Sequence, residues 1–226
     1  IPKRDWSSDV CSSDLPTMTT PSAGATFSAH NLTCVRGERI VFADLSFAVA
    51  AGSALLLRGP NGTGKSSLLR MCAGFVPPAG GELRWNAAPI AEDMGAHHAR
   101  LAWVGHLDAV KPAFSVAENI GFWLRLNGAG PLPETALAAL GLGHLATLPA
   151  AYLSAGQKRR LNLARLAGTN APLWLLDEPT SSLDNKSAEA LLRIIDAHCS
   201  AGGMAIIATH HDLDLARVET LRIGAP

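Results

Sequence analysis

Net charge is the first thing this 226-residue chain lacks: Lys plus Arg and Asp plus Glu each number 19, and the formal net charge is zero. A nucleic-acid partner would draw on an excess of positive charge, so no nucleic-acid binding is expected. Aromatic residues make up only 5%. They do not alternate with basic residues, which argues against a stacking platform for single strands. Long apolar runs are also missing. The richest stretch, 47–57, is interrupted by Gly52 and Ser53 and ends at Arg58, well short of the roughly 20 residues of a membrane-crossing helix. Any membrane role must therefore be borrowed from a partner. The cysteines, Cys11, Cys34, Cys72 and Cys199, are far apart and lack C-x-x-C spacing. Reduced, buried thiols are expected in place of a disulfide framework.

What is present points to one globular domain. Hydrophobic residues are 48% and charged residues 17%, a balance that builds a core at this length. The start is atypical. Trp6-Ser7-Ser8-Asp9-Val10-Cys11 is followed by the near-repeat Ser12-Ser13-Asp14-Leu15, which has no helix or strand period. Residues 1–17 are expected to be a non-native extension resembling translated linker read-through, with Met18 as the start. They have no apolar centre and so do not read as a signal peptide. The domain is expected over 18–226.

From Phe27 onward short β-rich runs alternate with helical ones. Strands are expected at 27–34, 40–42, 45–49, 54–58, 82–85, 101–104, 173–176 and 204–209. Helices are expected at 65–73, from Ser115 to about Leu126, around 134–140, from Ser154 towards Gly168, and at 187–198. Ser115 with Glu118, and Ser154 with Gln157, each form a capping-box pattern. Strands that carry acidic or phosphate-binding residues at their carboxyl ends imply an α/β fold with a mostly parallel core sheet. The helix-rich stretch from about 115 to 168 would form a separate lobe.

The chemistry begins at Gly59-Pro60-Asn61-Gly62-Thr63-Gly64-Lys65-Ser66-Ser67, placed between an apolar strand and a helix. This is the context of a phosphate loop. Backbone N–H groups of 61–66 can wrap a β-phosphate at the positive end of the helix, and the glycines permit close approach. Lys65 would reach the β- and γ-phosphates of ATP, and Ser66 would ligate Mg²⁺. Leu173-Trp174-Leu175-Leu176-Asp177-Glu178 supplies the other half. Asp177 would serve the metal, and Glu178 would polarise the attacking water as a general base. Leu153-Ser154-Ala155-Gly156-Gln157 reads either as a plain helix cap or as a second anion site, from the Ser154 hydroxyl and the Gly156 N–H. With one phosphate cradle already present, a second is surplus within the chain. A head-to-tail dimer, each copy capping its partner's ATP, would use it.

Taken in order, the phosphate loop, Leu153–Gln157, the strand ending in Asp177-Glu178-Pro179, Ser181-Ser182-Leu183-Asp184 and Thr209-His210 resemble the ATP-binding subunits of ABC transporters over about 29–224. The resemblance implies a P-loop NTPase with an added antiparallel β subdomain and helical lobe. It places Asp184 at a dimer contact and makes His210 a switch histidine at the γ-phosphate. His106 stands where a glutamine usually contacts Mg²⁺ and water, and a neutral imidazole there would make service depend on pH. Arg36 stands where an aromatic usually stacks on adenine, a task that a guanidinium plane can also perform. The segments 35–39, 105–112 and 152–160 resemble the haem-export branch of cytochrome c biogenesis. That branch implies a second copy of the ATP-binding subunit, a CcmB-type membrane permease and haem-handling cytochrome c maturation proteins, at the cytoplasmic face of the bacterial inner membrane. Another ABC exporter or a soluble regulatory ABC ATPase remain alternatives. A GTPase does not fit, because Asn185-Lys186-Ser187 is followed by Ala188 and not Asp. His97-His98 reads as a solvated loop, His198-Cys199 as a helix end, and Lys158-Arg159-Arg160 as a solvated helix face.

Overall fold

The computed structural model describes residues 24–126 and 133–224. The extension expected over 1–17, and nearly all of the break expected over 127–133, lie outside the described residues. Strands β1 (Thr26–Arg36), β2 (Arg39–Ala50), β4 (Gly80–Trp85) and β5 (Ala88–Pro89) pair antiparallel in the order β2-β1-β4-β5. Strands β3 (Ala54–Arg58), β6 (Leu101–Val104), β7 (Leu173–Asp177), β8 (Met204–Ala208) and β9 (Val218–Arg222) form a parallel sheet in the order β6-β7-β8-β3-β9. The helices are α1 (Lys65–Cys72), α2 (Met94–Ala99), α3 (Val116–Leu126), α4 (Pro133–Ala139), α5 (Ala155–Ala164) and α6 (Asn185–Ser200).

The parallel strands read as unbroken apolar runs because both of their faces are covered. Leu55, Leu57, Leu173, Leu175 and Ile206 enter one core with Phe27, Leu32, Leu68 and Met71, beneath the antiparallel sheet and α1. Leu56, Trp174, Leu176 and Ile207 enter the other, with Ile120, Leu137, Leu163, Leu191 and Ile195 from the helices. The period of two along each strand sorts alternate residues between these cores.

The two strands expected at 40–42 and 45–49 are one continuous strand, β2. Asp44 at φ 54° and Asn31 at φ 50° lie in the left-handed region. Irregular register between β1 and β2 absorbs them without ending the ladder. Three further elements were not expected. β5 is two residues long and α2 six, too short to show a period. β9 is an exposed edge strand that exists through its pairing with β3.

His97 corrects the sequence reading. It lies in α2 and is 1% exposed, not in a solvated loop. Its Nδ1 accepts from Trp85 Nε1 at 2.9 Å, and Nε2 lies 2.9 Å from the Cys72 carbonyl. An indole only donates, so Nδ1 must be bare and Nε2 must carry the proton. Burial holds this imidazole's pKa down. His198, near the end of α6, stacks on Trp174 with ring centroids 3.8 Å apart and planes 7° from parallel. Its Nε2–H donates to the Met204 carbonyl at 3.2 Å.

Burial pushes His198 from 6.5 down to about 4. The unfolded chain therefore binds a proton near pH 6.5 that the folded chain refuses until about pH 4. Stability is full above pH 6.5 and falls as pH drops through that window. Between pH 7.5 and 5 this residue alone should cost about 2 kcal/mol, read as a lower denaturant midpoint. His198→Phe, which keeps the stack on Trp174, should flatten that slope; an unchanged slope in the variant would refute the assignment.

Candidate active site

After β3 the chain turns through residues 59–64 into α1. Gly64 caps that helix at φ 102°, and a Cβ there would lie 2.6 Å from Val41 Cγ1 and 3.0 Å from Phe42 Cδ1. Gly59 sits at φ 150° with its Cα against the Ile223 carbonyl, leaving no room for a Cβ. The loop is thus a bare backbone cradle wedged between β2 and the segment after β9, at a helix end whose N–H groups lack internal partners. Pro60, Asn61 and Gly62 are exposed, and Thr63, Ser66 and Ser67 are half-buried. Lys65, 7% exposed, donates from Nζ to the Gly59 carbonyl at 2.7 Å and to the Pro60 carbonyl at 3.0 Å. Its ammonium group is therefore held at the loop itself.

The acidic edge comes from the neighbouring strands. Asp177 ends β7, buried, and its Oδ1 accepts from Ser66 Oγ at 3.0 Å. Glu178 follows at φ 48°, a strained backbone for a residue with a side chain. Its N–H donates to the Ala208 carbonyl at 2.8 Å. His210, just beyond β8, brings Nδ1 to 3.0 Å from Glu178 Oε2. Lys65, Ser66, Asp177, Glu178 and His210 therefore converge on one edge of the parallel sheet. This cluster suits a nucleoside triphosphate with its metal. The glycine cradle is fitted to backbone–phosphate contact, and Ser66 and Asp177 offer adjacent hard oxygen donors of the kind Mg²⁺ takes.

A second group gathers at the start of α5. Ser154 N–H donates to Gln157 Oε1 at 2.8 Å, and Gln157 N–H donates to Ser154 Oγ at 3.2 Å, so the capping box is real. Gly156 packs against the Ser182 carbonyl, where a Cβ would come within 3.1 Å. Asp184 caps α6, accepting from Ser187 N–H at 2.7 Å. Hydrogen bonds from Ser187 hold the Asp184 carboxyl below its usual range. Ser154, Gly156 and Gln157 thus sit beside the 182–184 segment. Of the other expected residues, His106 is exposed two positions past β6, whose Val104 pairs with Leu176 of β7, and Arg36 is exposed at the β1–β2 turn, paired across the strands with Arg39.

Sequence reasoning missed Arg159. It was expected on a solvated face, yet it is 4% exposed and reaches the carbonyls of Asp177 and Glu178 at 3.0 and 2.8 Å. The signal was available. Successive helical residues point about 100° apart, so 158, 159 and 160 cannot share one solvated face. Arg159 also falls on the stripe of Leu163, four residues on.

Gly64→Ala should fail to bind nucleotide, because the methyl group meets β2 and the backbone is strained. Equilibrium binding of a fluorescent ATP analogue should weaken at least about tenfold, a loss of about 1.4 kcal/mol, and unchanged affinity would refute the cradle.

The ABC transporter family model matches residues 42–181. The cytochrome c biogenesis ATP-binding export protein CcmA of Paramagnetospirillum magneticum is 52% identical over 204 residues, covering 88% of this chain and 94% of that protein. The protein of the same name from Rhodospirillum rubrum is also 52% identical, over 90% of this chain and 88% of its own length. Among solved structures, a putative ABC transporter ATP-binding protein from Pyrococcus furiosus superposes with a TM-score of 0.74 at 24% identity, over 87% of this chain and 97% of that one; it shares the fold. The chain belongs to the ABC transporter ATP-binding family, in the branch of the cytochrome c biogenesis ATP-binding export proteins.

Proposed function

We propose that the chain hydrolyses ATP as one of two identical subunits that drive a CcmB-type permease, in the service of haem export or release of a haem-loaded chaperone during cytochrome c maturation. The site of action would be the cytoplasmic face of the inner membrane, with the chain bound peripherally. One observation carries this reading: besides the glycine loop before α1, the chain has a second capped helix start, at α5, packed on the 182–184 segment, which we read as a second anion site. A second copy placed head to tail gives each anion site a γ-phosphate to contact.

Within that arrangement we assign the roles as follows. The loop backbone and Lys65 hold the β- and γ-phosphates. Ser66 and Asp177 would hold Mg²⁺, which when bound neutralises phosphate charge. Glu178 accepts the proton of the water that attacks phosphorus, as the bond to the leaving β-phosphate oxygen breaks to give ADP and phosphate. His210, in contact with Glu178 Oε2, would keep that carboxylate oriented and meet the γ-phosphate. Ser154, Gly156 and Gln157 would cap the partner copy's nucleotide, with Asp184 at the dimer contact.

Docking on the membrane partner is supported by a groove of about 330 Å³ between the parallel sheet and the helices, lined by Phe75, Trp103, Leu107, Trp123 and Arg165. Leu107 is 84% and Phe75 55% exposed. The Arg165 guanidinium lies 4.5 Å over the Trp123 ring, and no carboxylate among the described residues pairs with it. Burial, with the neighbouring Arg159 cation, pushes Arg165 down to about 10. An apolar helix bearing a carboxylate, presented by the permease, fits such a groove.

Glu178→Gln should retain ATP binding and abolish turnover, trapping an ATP-dependent dimer visible by size-exclusion chromatography with light scattering. Sustained hydrolysis in that variant would sink the assigned base. Leu107→Glu should strongly reduce recovery of a multi-spanning membrane protein when the tagged chain is purified from detergent extracts. Equal recovery would move the docking surface elsewhere, and no membrane partner with the unaltered chain would favour a soluble regulatory ATPase.

A further inference from the structure

We infer that Arg159 is a positioning residue that locks the Glu178 backbone to the helix carrying the 153–157 motif, so that movement of α5 is felt at the base. From α5 its guanidinium reaches two separate segments, the turn after β6 and the end of β7. One terminal nitrogen donates to the Gly105 carbonyl at 2.9 Å, and also lies 3.4 Å from Asp108 Oδ1. The other donates to the carbonyls of Asp177 and Glu178 at 3.0 and 2.8 Å. The side chain is 5% exposed.

Packing alone does not account for this arrangement. A buried cation is costly, and an apolar side chain of the same volume often serves stability as well or better. Nor is the cation fully compensated. Among the described residues its one carboxylate contact, Asp108, is at 3.4 Å and is shared with Asn162 Nδ2, and Arg159 Nε has no hydrogen-bond partner. The strong, short contacts go instead to carbonyls of the peptides that carry the chemistry. Glu178 needs that hold. Its φ of 48° is unfavourable, and its carbonyl is fixed by Arg159 together with Ser181 N–H at 3.1 Å. On its amino side the Ala208 carbonyl grips its N–H. With both ends clamped, the carboxylate projects towards His210. The same guanidinium clamps the Gly105 peptide, the link directly before His106. A planar fork with parallel donors can bridge such sites, whereas an ammonium group serves them only as a point charge.

This inference rests on Glu178 as the base, and the test separates the two. Steady-state ATP hydrolysis is measured on the chain co-purified with its membrane partner, for Arg159→Met, Arg159→Lys and, in parallel, Glu178→Gln. Arg159 touches no group of the phosphate loop, so Arg159→Met should lower kcat about tenfold or more and leave the KM for ATP within about threefold. Arg159→Lys, with fewer and unforked donors, should recover part of the lost kcat. Thermal melts with the folded fraction scored allow rates to be expressed per folded molecule. A per-molecule kcat for Arg159→Met within about twofold of the unaltered protein, with Glu178→Gln inactive, overturns the role of Arg159 alone. An active Glu178→Gln overturns the base itself. A loss of kcat that Arg159→Lys does not relieve, matched by a proportional rise in KM, would make Arg159 a merely structural residue.

Discussion

The parallel register around β8 is the constraint on which the rest depends. Ala208 stands level with Leu57 of β3 on one side and with Asp177 of β7 on the other. Its carbonyl takes the Glu178 N–H, and Thr209 N–H donates across to the Leu57 carbonyl at 3.3 Å. Adjacent strands are about 4.8 Å apart. The phosphate loop, the two carboxylates and His210 therefore leave the sheet within about 10 Å of one another. Slipping one strand by a residue would exchange its faces between the two cores and carry Asp177 away from Ser66. The packing of Leu55, Leu56 and Leu57 into alternate cores thus protects the chemistry at their ends.

The two cores have different tasks. The antiparallel sheet lies over the phosphate loop, where Val41 and Phe42 of β2 close upon Gly64. The glycine's lack of a side chain is matched to a surface formed more than twenty residues earlier in the chain. His97 secures the far end of the same helix. It bridges the Cys72 carbonyl to Trp85 of β4 and stays neutral to do so. The helical side instead presents surfaces: the start of α5 against the 182–184 segment, and a groove whose Leu107 and Phe75 are left exposed by the described residues. Arg159 joins that side to the reacting edge, one guanidinium spanning α5, the end of β7 and the turn after β6.

Much of this was legible in the sequence because it is local. Strand β3, the glycine loop and α1 occupy 54–72 as their pattern required, and both expected capping boxes form. What escaped was weak in local signal. Helix α2 is too short to show a period, and its one informative residue, His97, is drawn inside by Trp85 and Cys72, which are distant in sequence. Strand β9 has an exposed face throughout and exists because β3 offers an unpaired edge.

The kind of chemistry is written locally: a phosphate loop, a carboxylate pair at a strand end, and the second helix-start motif are stretches of a few residues whose conformations follow from glycine, capping and strand propensities. How those pieces come together depends on contacts between distant parts of the chain. The bond between Ser66 and Asp177 joins residues 111 positions apart, and the reach of Arg159 to Gly105 spans 54. Such contacts are fixed by strand order and by which side of the sheet each helix covers. Those choices come from burying every apolar face at once, and no short stretch of sequence encodes them.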